Sequence, residues 1–119
     1  MDYAIHQDVK YGPLELVEAG RLADECREPW WNQSLCRVNE SVARIGVFLG
    51  EFHWHKHDRE DELFFVLEGT LLLDFEGKTV ELGPRQAMVV PRGVVHRTRA
   101  EVRTVVLMVE AATVVPTGD

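Results

Sequence analysis

The chain has 119 residues, 45% of them hydrophobic, and 20 acidic against 13 basic side chains give a net charge of −7. That length suits one domain with a single core, and the hydrophobic share excludes a largely disordered chain. The acidic balance, with no basic cluster, speaks against a nucleic-acid surface, and no apolar stretch approaches the length of a membrane span.

Met1 to Lys10 has no apolar segment of the kind a secretory signal needs, and the two cysteines, Cys26 and Cys36, read as free thiols. Both features lead to the expectation of a cytoplasmic protein. Pro13 to Arg27 reads either as a short helix, weakened by Val17 and Gly20, or as an arm that covers the domain or swaps onto a neighbour. Pro29-Trp30-Trp31 makes an aromatic knot, read as core or interface packing. From here the chain turns regular. Val42–Leu49, Glu62–Leu67, Thr70–Phe75, Thr79–Leu82, Ala87–Val90 and Val102–Val109 are short runs rich in β-branched and aromatic residues. Glycines and prolines at Gly46, Gly50, Gly69, Gly77, Gly83-Pro84, Pro91 and Gly93 punctuate them. Glu76-Gly77-Lys78 predicts a tight hairpin, with glycine free to take positive φ. Phe64–Leu67 and Leu71–Leu73 are apolar on both faces, which predicts strands covered on both sides, as in a small barrel packed against a partner subunit. The tail, Ala111 to Asp119, is small, polar and without an evident anchor. An arm over 1–35, a β-barrel over 36–112 and a flexible tail over 113–119 is the organisation these features predict.

Four of the five histidines gather in this barrel region, at His53, His55, His57 and His96. Alternate side chains of a strand share a face, so His53, His55 and His57 project to one side and Trp54 and Lys56 to the other. Glu62 opens the next strand after a polar turn. His96 follows the rigid turn Pro91-Arg92-Gly93, which can bring a later strand across the same cavity. Three neutral imidazoles and a carboxylate make a ligand set for Fe, Mn, Zn, Ni or Co as the divalent ion. They leave positions on an octahedral ion open to substrate or water. Asp61 and Glu60 are rival carboxylates to Glu62. His53 reads as a further polar residue near the ions' ligands or an acid/base group, or as a plain solvated histidine. Phe48, Phe64, Phe75 and Met108 are candidates for the cavity wall or simply for the core.

His55-x-His57-x₄-Glu62-x₆-Gly69 resembles the first motif of the cupins, and Pro91-x-Gly93-x₂-His96 resembles the second. Asp61–Gly69 (DELFFVLEG) is similar to the central strand of small single-domain cupins, and the likeness spans roughly residues 40 to 110. It implies an all-β fold, a cupin-type jelly-roll antiparallel β-barrel (double-stranded β-helix) with an N-terminal arm, commonly as a homodimer. It also implies metal ligands at His55, His57, Glu62 and His96. Departures fall at support positions. Arg85 stands six residues before the proline where a glycine is usual, Ala100 where an asparagine is frequent, and Gly50 lies one residue nearer the histidines than the family's leading glycine.

The resemblance implies a metal-dependent enzyme of dioxygenase, isomerase or lyase type acting on a small molecule. A non-catalytic module that binds a small ligand, or that the metal merely stabilises, is the other expectation. A sensor domain detached from a DNA-binding partner is disfavoured by the lack of a helix-turn-helix segment.

Overall fold

A computed structural model describes residues 2–119. Along the described chain lie β1 (Ala4–His6), α1 (Ala19–Glu25), β2 (Trp30–Val38), β3 (Ser41–Glu51), β4 (Glu62–Glu68), β5 (Leu71–Phe75), β6 (Lys78–Leu82), β7 (Ala87–Val90) and β8 (His96–Ala111). β1 pairs with β2 in parallel, and the other strand pairs are antiparallel. The long β8 is the spine. Its first residues, His96–Arg99, pair with β5, its last, Val105–Glu110, with β4, and β3 runs along its other edge. The strands curl into the jelly-roll arrangement, although the hydrogen-bonded ladder does not close into a ring.

Alternation decides what faces inward. On β3 and β8, Phe48, Val106 and Met108 point into the barrel with Phe64 and Val66 of β4, Leu71 and Leu73 of β5 and Trp30 of β2. The opposite faces of β2, β3 and β8 carry Leu35, Ile45, Val47 and Val105, and these are covered by Ala23 and Leu22 of α1. The second apolar face on β2, β3 and β8 is thus explained by the chain's own arm. The expected hairpin joins β5 to β6 through Glu76-Gly77, where Gly77 takes φ +80° with open space around it.

Two boundaries differ from expectation. β2 begins at Trp30, inside the stretch read as arm, and β8 begins at His96 instead of Val102. His53–His57 is extended but leaves the ladder after Glu51, with only a single bridge between His55 and His96. The glycine replaced by Arg85 is conformationally present, because Arg85 itself adopts φ +66°.

Candidate metal centre

Each of the four residues is held by a different device. His55 and His96 exchange backbone hydrogen bonds, 2.9 Å in both directions, so the two motifs meet at these residues. The Gly93 amide donates to the His57 carbonyl at 2.8 Å, and the Arg92 amide to Asp61 Oδ1 at 2.9 Å. The Pro91–His96 turn is therefore latched to the His55–Asp61 loop at three points. Gly93 takes φ +80° to make its latch, a conformation that glycine adopts without steric cost. Glu62 is brought in by β4, where it lies opposite Glu110 of β8 and Val90 of β7.

The result is a compact donor set. One ligand atom each of His55, His57, Glu62 and His96 lies within 4.8 Å of the other three. Glu62 Oε1 stands 3.6 Å from His57 Nε2 and 3.9 Å from His96 Nε2. His55 Nδ1 pairs with the His53 carbonyl at 3.0 Å and His96 Nδ1 with that of Val94 at 2.9 Å. A carbonyl only accepts, so each Nδ1 carries the proton and each Nε2 keeps its lone pair. His96 Nε2 and both ring nitrogens of His57 are buried without a hydrogen-bond partner, which is costly unless something serves them. Burial lowers the His55 pKa from 6.5 to about 4 and depresses that of His96 as well. Both imidazoles are neutral at neutral pH, the form a cation needs. Orphaned nitrogens, neutral rings and one carboxylate fit a divalent transition ion.

The rival residues lie outside this four-residue group. Asp61 is occupied with the Arg92 amide, and Glu60 accepts from Thr113 Oγ1 at 2.8 Å. His53 is exposed and outside the four-residue group, its ring stacked on Phe52 with centroids 4.3 Å apart and its Nε2 donating to the Thr117 carbonyl at 2.6 Å. Phe48, Phe64 and Met108 do line the cavity beside the donors, together with Trp30, Phe52 and Pro116. Phe75 packs against the core from a half-buried position.

A family model described as the cupin domain matches residues 49–110. The chain belongs to the cupin family. Among curated proteins, the uncharacterized protein YdbB of Bacillus subtilis (strain 168) is 49% identical over 90 residues, covering 75% of this chain and 80% of that protein. A cupin-2 domain protein of Shewanella frigidimarina superposes with TM-score 0.77 at 26% identity, over 81% of this chain and 94% of the other. A protein of Neisseria meningitidis superposes with TM-score 0.73 at 24% identity, over 82% and 99% respectively, a likeness of fold.

The cupin barrel also holds charge that sequence reading did not single out. Arg44, 3% exposed, points inward from β3 and lies 3.7 Å from Glu110 Oε1, with Asn32 Oδ1 accepting from its Nη2. Glu110 and Glu62 bring their carboxyl groups together, and burial and that neighbour push Glu110 up to about 10. Burial raises Glu62 too. Glu110 is therefore protonated at neutral pH, with the Arg44 guanidinium beside it. The cavity beside Arg44, Glu110 and the donors is about 30 Å³, room for about two water-sized groups.

Proposed function

We propose that this cupin holds one divalent transition ion through His55, His57, Glu62 and His96 and is an enzyme of dioxygenase, isomerase or lyase type acting on a small molecule. The observation that carries the reading is the convergence of orphaned imidazole nitrogens on Glu62, beside a cavity walled in part by Trp30, Phe48, Phe52 and Phe64. When bound, such an ion supplies Lewis acidity and open coordination positions for an oxygen-donor substrate. The protein's part is to keep the His55 and His96 imidazoles neutral, to hold their lone pairs inward, and to exclude water with Phe48, Phe52, Phe64 and Met108. Glu110 contributes a buried acidic proton against Glu62, and His53 stands at the rim as an exposed acid/base group. An assay panel of small oxo-acids, enols and thiols, run on Fe²⁺-loaded protein under oxygen and on Mn²⁺-, Ni²⁺- and Zn²⁺-loaded protein, tests this. Ion-dependent turnover of one class is expected. No turnover with any ion would leave the second reading, a metal-stabilised module, which the small size of the cavity favours.

We further infer a cytoplasmic homodimer. No helix among the described residues is long and apolar enough to cross a membrane. The outer face of β4 and β7 exposes Leu67 and Val89, beside half-buried Leu63 and Phe65, and the arm exposes Leu14 and Leu16. Apolar surface of this kind supports pairing with a second copy. Light scattering should give twice the chain mass, and a monomer at micromolar concentration would remove the dimer from the account.

A further inference from the structure

The tail does not hang free. Beyond β8, the chain folds back along the His53–Asp58 segment, with Val114 buried and Pro116 in the cavity wall. The Thr117 carbonyl accepts from His53 Nε2. Gly118, at φ +97°, presses on His55 so closely that a Cβ there would stand 2.5 Å from the His55 Cβ. The Asp119 amide donates to the Lys56 carbonyl at 2.9 Å, and Asp119 Oδ2 accepts from the Asp58 amide at 2.7 Å. This strap therefore grips the outer side of the segment that carries His55 and His57.

His57 differs from the other two histidines in one respect. The outer nitrogens of His55 and His96 rest on backbone carbonyls, whereas His57, 3% exposed, has no acceptor for either nitrogen. Carboxylates stand nearby instead. A ring nitrogen of His57 and one oxygen each of Glu60 and Asp119 lie within 4.8 Å of one another. Nε2 faces Glu62, and Nδ1 is buried with no partner of its own. Thr113, at the root of the strap, holds Glu60 in place.

We propose that Glu60 and Asp119 are positioning residues for the metal centre, acting through the outer nitrogen of His57, and that the strap carries Asp119 to that position. The inference rests on the metal-centre reading. A carboxylate on the outer nitrogen fixes the tautomer, aims the inner lone pair and raises its basicity, and removing such a partner typically weakens metal affinity ten- to a hundredfold. The two carboxylates form a candidate cation group themselves, but sharing His57 with the inner set makes support of that ligand their consistent role.

The test is competition titration of Co²⁺ against a chromogenic chelator, on the full chain carrying Glu60→Gln and Asp119→Asn together. The amides keep an oxygen for Thr113 and the Asp58 amide, so the strap stays tethered while the charge beside His57 is lost. We expect Co²⁺ affinity to fall at least tenfold, an altered Co²⁺ absorption band, an unchanged melting temperature of the metal-free protein, and recovery of most of the affinity when Asp119→Glu replaces Asp119→Asn. A loss below tenfold, or one accompanied by a matching fall in the metal-free melting temperature, overturns the assignment. His57→Ala is titrated alongside. If the wild type takes up no Co²⁺, or His57→Ala binds as tightly, the metal-centre reading itself fails; if those two behave and the double variant does not, only the positioning role is lost.

Discussion

Glu62 and Asp61 are adjacent in sequence and both acidic, yet the fold gives them unrelated work. Glu62 faces His57 and His96 from inside the barrel, and Asp61 accepts the Arg92 amide on the surface. Glu62→Gln should therefore remove most metal affinity, whereas Asp61→Asn should leave it nearly intact and, because the amide oxygen still accepts from the Arg92 amide, change stability by less than about 0.5 kcal/mol. Parallel metal titrations and thermal melts check both, and the reverse order would transfer the ligand role to Asp61. The buried titratable groups predict the pH dependence of the metal-free protein. His55 and His96 have lowered pKa values when folded, so the unfolded chain binds more protons below about 6.5, and stability falls as pH drops from there toward 4. Glu110 and Glu62 are raised, so the folded chain holds more protons above about 4.5, and stability falls as pH rises toward 10. The two arms oppose each other between these limits. Melting temperature should decline on the acid side below about 4.5 and on the alkaline side above about 6.5, and Glu110→Gln should weaken the alkaline decline while leaving the Glu62 share. The histidines and Glu62 were legible because their spacing is unusual and their chemistry shared. Arg44 and Glu110 were not. A lone charge in an apolar run usually lies on the solvent face, and only the register of β3 against β8 reveals that these two point inward.

At the scale of elements, the strap is held by backbone hydrogen bonds that no composition rule anticipates, since small polar tails are ordinarily unanchored. Its tightest contact predicts a simple outcome. Gly118→Val adds bulk against His55 at a φ that valine resists, so the strap should unseat and the metal should be lost to an excess of chelator several times faster, as stopped-flow absorbance would record. Arg85 allows a second prediction. It occupies the left-handed region that glycine adopts freely, at a cost of about 1 kcal/mol, so Arg85→Gly should raise the melting temperature by a few degrees. An unchanged or lower value would mean that the arginine side chain compensates for its backbone. The strands from Val42 onward were readable from their β-branched runs and glycine stops. β2 was not, because Asn32, Gln33 and Ser34 are buried polar residues that break the pattern, and Asn32 and Gln33 are accommodated by partners the sequence does not display. Gln33 Nε2, for example, donates to the Asp8 carbonyl at 2.6 Å.

For the whole molecule, the barrel, the arm behind it and the strap across its mouth form one enclosure around a charged interior. Arg44, Glu62, Glu110 and the histidines are expensive to bury, and a bound cation is what would offset the orphaned nitrogens. Chelation should accordingly lower the melting temperature and loading restore it, because a ligand that binds only the folded chain stabilises it. The most direct measurement is elemental analysis of protein purified without chelator, wild type beside His57→Ala and Glu62→Gln. We expect about one divalent transition ion per wild-type chain and almost none in either variant. A wild-type chain free of metal even after loading, or a His57→Ala protein with undiminished content, would contradict the metal-centre reading.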